Sequence, residues 1–299
     1  MADMLWLGGF LAVLLLFLLK RESDKECDQL SVEEIEICSK KLTQRQKLVF
    51  LSDLHDKSFG KDNCRLVEAI AGIKPDAILI GGDMMNVRTG KISLDVTQKL
   101  LRDLTAIAPV CYANGNNEQR LTWEYKQFGA YRSRFRQLLD SCGVCYLDNK
   151  SVDLGSVRVT GLDLELDHYH EFAHKALTTA FMDEAVGKAE PDKFNLLLCH
   201  SPMFLDTYAR WGADLVLTGH SHGGVIRFPT DRNRVPGKMN NDRGLVSGQY
   251  QLFHKYCAGV FRKETCCMVV SRGLGTHTVN VRINNLPQLV VVDLHNGEK

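Results

Sequence analysis

From residue 47 onward, short and wholly apolar runs alternate with segments whose apolar residues recur at helical spacing. Leu48–Leu51, Ile78–Ile80, Val110–Ala113, Leu196–Cys199 and Leu215–Leu217 have the length and continuity of strands buried on both faces. Between the first three lie two amphipathic segments. Asn63–Ile73 carries Leu66, Val67, Ile70 and Ile73 on one face, and Ser93–Leu104 carries Val96, Leu100, Leu101 and Leu104 behind a serine N-cap. Short connections in a β-α-β-α-β order predict a mostly parallel sheet with crossover helices. Further helices are predicted over 123–141, 171–187 and 203–211. A hairpin turning at Gly155-Ser156 suggests a second sheet packed on the first. Strands over 268–271, 278–282 and 289–294 close the chain, and 223–263, rich in Gly, Arg, Asn and Lys, reads as long loops.

The amino terminus breaks this pattern. Met4–Leu19 is a sixteen-residue uncharged stretch followed at once by Lys20-Arg21. At ~1.5 Å per residue it would reach ~24 Å, slightly short of a ~30 Å hydrocarbon core, a mismatch that local thinning can absorb. It lacks the basic start and the small-residue cleavage site of a signal peptide. A membrane-anchor helix is expected over residues 1–21, with the rest of the chain on the cytoplasmic side by the positive-inside rule. A polar linker follows over 22–46, where Ser31-Val-Glu-Glu34 resembles a capping box opening a short helix. One domain then spans 47–299.

Composition narrows the classes little. The chain has 299 residues, 44% hydrophobic and 24% charged, with a formal net charge of +1, so nothing draws it generally to nucleic acid. No basic stripe with interleaved aromatics is present, and no nucleic-acid partner is expected. Ten cysteines without regular spacing read as free thiols in a reducing compartment, Cys142 and Cys145 included.

The chemistry lies where the apolar runs end. The five strands lead into Asp53 and His55, Asp83, Asn116, His200, and His220 with His222. In α/β sheets, ligands collect at the carboxyl ends of strands. Carboxylate, amide and imidazole donors together suit borderline divalent ions such as Mn, Fe, Zn or Co. Seven side chains exceed the needs of one ion, and two ions sharing a carboxylate would use them economically.

The order Asp53-x-His55, Gly82-Asp83, Gly115-Asn116, His200, Gly219-His220-x-His222 resembles the calcineurin-like metallophosphoesterase superfamily, in particular its membrane-anchored bacterial members. The resemblance covers nearly all of residues 47–299. It implies a four-layer α/β/β/α sandwich with a dinuclear metal site. By motif, Asp53, His55, Asp83 and His222 would hold the first ion and Asp83, Asn116, His200 and His220 the second, with Asp83 bridging. Such a pair of cations would activate a water for in-line attack and neutralise the charge that develops on phosphate.

One block departs from the family pattern. Where the family has a histidine after Gly-Asn, this chain has Asn117, followed by Glu118. An amide donates a hydrogen bond but delivers no proton at neutral pH. The leaving group needs no acid, or another residue supplies the proton (Glu118, His168 and His170 are candidates), or the protein binds phosphate without turnover. Asn117, Glu118 and His170 are therefore the expected catalytic residues beside the ligands.

The leading expectation is a metal-dependent, manganese-supported phosphoesterase acting on phosphate or pyrophosphate groups of membrane-associated small molecules or lipids. Arg227, Arg232, Arg234, Lys238 and Arg243 would meet anionic headgroups, and Arg132, Arg134 and Arg136 form a second basic cluster. A phosphodiesterase of soluble nucleotides and a non-catalytic membrane-bound interaction module are the competing functions. Metal content separates the module from both enzymes.

Overall fold

The structure is a computed structural model that describes residues 2–88, 92–169, 175–227, 244–246, 256–276 and 280–297. In chain order the first elements are helix α1 (Ala2–Asp28) and strands β1 (Ser31–Cys38) and β2 (Gln46–Leu51). Then come α2 (Cys64–Ile73), β3 (Ala77–Ile80), α3 (Asp95–Thr105) and β4 (Val110–Tyr112). The middle holds α4 (Asn116–Trp123), α5 (Tyr125–Ser141), β5 (Cys145–Tyr146), β6 (Lys150–Leu154) and β7 (Val157–Gly161). Next are α6 (Thr179–Val186), β8 (Phe194–Leu198), α7 (Leu205–Trp211) and β9 (Leu215–Thr218). The chain closes with β10 (Ile226–Arg227), β11 (Gly244–Val246), β12 (Gly259–Lys263), β13 (Cys266–Val270) and β14 (Gln288–His295).

Two six-stranded mixed sheets carry the core, in the orders β1-β14-β2-β3-β4-β5 and β12-β13-β9-β8-β7-β6. The runs that read as doubly buried strands are so. Leu48 and Phe50 of β2 face the second sheet, packing with Leu196, Leu198, Leu215 and Leu217, whereas Val49 and Leu51 face helices α2, α3 and α5. Behind the second sheet, Leu197 and Val216 pack against Met182 of α6 and Leu205, Tyr208 and Trp211 of α7. Alternate side chains thus enter different cores, and the order of layers is helix, sheet, sheet, helix. The Gly155-Ser156 hairpin forms as expected, pairing β6 with β7 antiparallel.

Ser31–Cys38 is a strand, not a short helix. It runs parallel to β14 in register Ser31↔Gln288 through Cys38↔His295, so the segment read as a linker supplies an edge of the first sheet. Alternation decides this: Glu33, Ile35 and Ile37 turn inward. Buried Glu33 is matched by Arg272 at 2.5 Å and by Gln288 Nε2 at 2.8 Å. The local capping signal lost to pairing with a strand some 250 residues away. The helix predicted over 123–141 is α5, and a separate helix, α4, precedes it and begins at Asn116 itself. Of the helix predicted over 171–187, α6 forms, residues 175–178 are not helical and 171–174 lie outside the described residues, and β12 lies in a segment read as loop. Of the strand predicted over 278–282, residues 280–282 form none, and 278–279 lie outside the described residues.

Among the described residues no helix is long and apolar enough to cross a membrane, so the expected bilayer-spanning segment is not supported. Beyond its apolar stretch, α1 continues into the charged segment Lys20–Asp28. Trp6, Phe10, Leu14 and Phe17 are exposed to solvent, whereas Ser23, Glu26 and Cys27 are buried against the domain. Among the described residues the helix therefore has an apolar half that packs on nothing and a polar half that docks. Ser23 Oγ accepts from Arg282 N, and the Glu26 carboxylate accepts from Asn284 N (2.9 Å) and Asn285 N (2.8 Å).

Candidate metal centre

The carboxyl ends of β2, β3, β4, β8 and β9 lie at one edge of the stacked sheets. Immediately past these ends the backbone is strained. Asp53, His55, Asp83, His220 and His222 all have positive φ, between 49° and 68°. Left-handed backbone is uncommon for residues other than glycine and collects at functional sites. The loops carrying it are laced together: Asp53 N donates to Gly82 O (2.9 Å), His55 N to Asp83 O (3.1 Å) and Asp56 N to Met84 O (3.1 Å). Gly219 is required by close approach, because a Cβ there would overlap the Asp53 carboxylate. Gly82, at φ 87°, runs directly against the backbone of Asn114 and Gly115.

Three histidines share one arrangement. His55 Nδ1 lies 3.1 Å from Asn86 Oδ1, His200 Nδ1 2.6 Å from Gly81 O, and His222 Nδ1 3.1 Å from Gly275 O. Each acceptor is a carbonyl oxygen, so each Nδ1 carries a proton and Nε2 is the ring atom left to meet a cation. All three Nε2 atoms point inward. His222 Nε2 lies 3.3 Å from Asp53 Oδ1 and 3.2 Å from His55 Nε2, and the two rings stack at 4.9 Å. His200 Nε2 is 3.6 Å from both Asp53 Oδ1 and Asp83 Oδ2, and it is buried without a hydrogen-bond partner among the described residues. Two imidazole lone pairs 3.2 Å apart repel each other. That spacing suits two nitrogens bound at ~2.0–2.1 Å to one cation.

The electrostatics agree. Asp53 and Asp83 are buried, which disfavours their charge, yet the surrounding histidines hold both carboxyls below the usual carboxylate range. Burial likewise opposes a charged His200, but Asp83 and Asp53 outweigh it and lift its pKa to about 10. His222 goes the other way, to about 3, because burial dominates over Asp53. The field of this pocket calls for positive charge, and the residues present fit divalent cations. Two triads bring their ligand atoms within 4.8 Å of one another, Asp53 with His55 and His222, and Asp53 with Asp83 and His200. On the far side Asn116 Oδ1 meets His220 Nδ1 at 2.9 Å, and His220 N donates to Asp53 Oδ1 at 3.0 Å. All seven expected ligands therefore border one pocket, and Asp53 reaches toward both halves.

The expected catalytic residues fare differently. Asn117 is buried and engaged within the protein: its N and Nδ2 donate to Asp83 Oδ1 (2.8 Å) and Oδ2 (2.7 Å), and Val87 N donates to its Oδ1 (3.0 Å). Glu118 is no proton donor by position. Its Oε2 accepts from Asp83 N (2.8 Å) and Gly115 N (2.9 Å), and its Oε1 from Met84 N (3.0 Å) and Tyr112 Oη (2.7 Å). Burial and the Asp83 charge push its pKa up while these donors pull it back. His168 lies between Phe181 and Phe204, its pKa lowered by burial. His170 lies outside the described residues, as do Arg232, Arg234, Lys238 and Arg243. Arg136 caps the Tyr146 ring at 4.7 Å and pairs with Asp148, and Arg134 lies over Tyr131, so these two serve local packing. All ten cysteines are free.

Residues not foreseen hold the ligands in place. Asn86 orients His55, and its Nδ2 also donates to His55 O. Asn285 Nδ2 donates to His222 O and Gly224 O, and Arg282 donates to the carbonyls of Arg272, Gly273, Gly275 and Asn285. The only sequence signal for Asn86 is its place three residues after Asp83; Asn285 and Arg282 had none.

Residues 46–224 match the family model of the calcineurin-like phosphoesterases. The chain belongs to that family. It is a metal-dependent phosphoesterase by descent, with Asp and His clusters suited to the metals that the family uses. It is 26% identical over 255 residues to YpbG of Bacillus subtilis, covering 83% of this chain and 80% of that protein. It is 24% identical over 251 residues to the phosphodiesterase YaeI of Escherichia coli, covering 83% and 82%. A metallophosphoesterase of Helicobacter pylori shares 29% identity over 202 residues, covering 66% of this chain and half of that protein. Among solved structures, TT1561 of Thermus thermophilus superposes over 77% of this chain and 90% of its own at 13% identity, with a TM-score of 0.41.

Proposed function

We propose that this phosphoesterase holds two divalent ions and hydrolyses phosphate or pyrophosphate groups of membrane-associated substrates. The first ion takes Asp53, His55, Asp83 and His222, and the second takes Asp83, Asn116, His200 and His220. The supporting observation is the convergence of three Nε2 atoms on two buried carboxylates, that of His200 being buried with no hydrogen bond among the described residues. The ions would supply an activated water and neutralise phosphate charge. The chain's own residues supply alignment. The carbonyls of Gly81 and Gly275 and the Asn86 side chain keep the three imidazoles in the ligating tautomer. Asn117 locks both oxygens of Asp83.

With Asn117 engaged in this way, the position that carries the acid elsewhere in the family delivers no proton. A leaving group that departs as a stable anion, such as a phosphate monoester from a pyrophosphate or an aryl oxide, needs none. A membrane location rests on α1. Its exposed apolar half, flanked by Lys20 and Arg21, suits insertion into one leaflet without crossing, with the domain on the cytoplasmic face. Its buried half bonds to the Asn284–Asn285 turn that carries His222, so the pocket sits close to the helix that would meet lipid.

The test is metal analysis of the purified chain with manganese-supported hydrolysis of a bis-aryl phosphodiester, followed by a detergent-dispersed lipid pyrophosphate against cyclic and linear nucleotides. Two ions per chain and preference for the lipid support the reading. Preference for nucleotides would favour the soluble-substrate alternative, and a metal-free, inert chain would leave an interaction module.

A further inference from the structure

We propose that Tyr169 contacts the substrate, its hydroxyl donating a hydrogen bond to a non-bridging oxygen of the phosphoryl group that lies over the His200–His220 half of the pocket. Tyr169 ends a short 3-10 turn, Leu166–Tyr169, that packs against α4, the helix starting at Asn116. Its ring centroid lies 5.1 Å from that of His220 and 6.0 Å from that of His200. Although the residue as a whole is half-exposed, its hydroxyl oxygen is buried and has no hydrogen-bond partner among the described residues.

Buried hydroxyls are nearly always satisfied, so one left open on a ring packed against His220 and His200 points to a group that arrives from outside. A phenol hydroxyl is a neutral donor, which suits an anion. A phosphoryl oxygen is the complementary acceptor, and a hydrogen bond to a charged acceptor is among the stronger kinds. Its polar neighbours Asn117 and Glu118 are committed: Asn117 is held by Asp83 and Val87, and Glu118 takes four protein donors. Asp163 is tied to Asn114, which donates to its Oδ2, and its Oδ1 is buried and open among the described residues. Tyr169 thus supplies, beside the second set of ligands, the donor that Asn117 does not direct at substrate.

The inference rests on the dinuclear phosphoesterase reading, and the experiment separates the two. The manganese-loaded full chain and its Y169F variant are compared in four ways: metal content, melting temperature, binding of inorganic phosphate by calorimetry, and kcat and KM on a bis-aryl phosphodiester. The expected result is two ions in both proteins and an equal or higher melting temperature in Y169F. Phosphate binding should weaken about tenfold, equivalent to ~1.4 kcal/mol, with a comparable loss of kcat/KM. Unchanged phosphate affinity and kcat/KM would overturn the role of Tyr169 while leaving the metal centre standing. Loss of an ion in Y169F would make the residue a ligand instead and also overturn it. A lower melting temperature with unchanged phosphate affinity would mean that the hydroxyl serves the protein, for instance by swinging onto Asp163 Oδ1, and would overturn it too. A parent chain without two ions would remove both this inference and the reading beneath it.

Discussion

Replacing Glu118 by glutamine separates two accounts of a residue that sequence reasoning placed among the proton donors. In the structure its carboxylate accepts four hydrogen bonds, from Asp83 N, Gly115 N, Met84 N and Tyr112 Oη, and all four partners are buried. Glutamine keeps one carbonyl oxygen and turns an NH2 toward two of those donors. At ~1–3 kcal/mol for each buried donor left open, two lost bonds cost about 2–6 kcal/mol. With roughly 2 °C per kcal/mol for a chain of this size, the melting temperature should fall by about 4–12 °C. The damage should spread to the metals, because the same bonds hold Asp83 at its positive φ of 53° and fix Gly115 just before Asn116. Calorimetry and metal analysis after dialysis against a weak chelator should therefore show reduced stability and reduced retention of metal together. A general acid would behave otherwise, with stability and metal content intact and only the rate, with its pH profile, changed. That outcome would refute the scaffold account and restore Glu118 to the chemistry.

Three further outcomes follow from the geometry. Asp83→Asn removes a charge from the shared position, and both metal binding and turnover should be lost together; a variant that keeps two ions and full activity would contradict the bridging role. Asp163 should make stability fall as pH rises. Burial, reinforced by Asp148 and Glu118 and opposed by Asn114, lifts its pKa to about 8. In the unfolded chain it titrates near ~3.9, so between about pH 4 and 8 the folded state holds a proton that the unfolded state has released. Melting temperatures at pH 5, 7 and 8.5 should converge in Asp163→Asn relative to the parent, and an unchanged slope would exclude this group as the cause. Glu26→Gln at the docked end of α1 should cost about 1–3 kcal/mol, since one of two charge-assisted bonds to Asn284 and Asn285 goes unmade. Chemical denaturation measures that loss, and because Asn285 also holds His222 O, manganese affinity should drop with it.

What the sequence determined by itself were the types of residue that gather at the strand ends and their places along the chain. Both follow from local rules: a strand buried on both faces must be a continuous apolar run, and whatever ends it sits at the edge of the sheet. Asp53, His55, Asp83, Asn116, His200, His220 and His222 were legible for that reason, as were α2, α3 and the β6–β7 hairpin, whose periodicities need no distant partner. Tertiary structure alone decided the rest. Ser31–Cys38 became a strand because β14 offers a full register and Arg272 matches Glu33, neither visible in the local capping pattern. His168 was drawn between Phe181 and Phe204, Asn117 onto Asp83, and Glu118 into four donors, because a buried polar group goes to the partner the fold brings near rather than to the task its residue type suggests. The tautomers of the ligating histidines, the docking of α1 beside His222 and the open hydroxyl of Tyr169 are of the same kind. They depend on the relative position of segments far apart in the chain, and only the packing of two sheets sets that position.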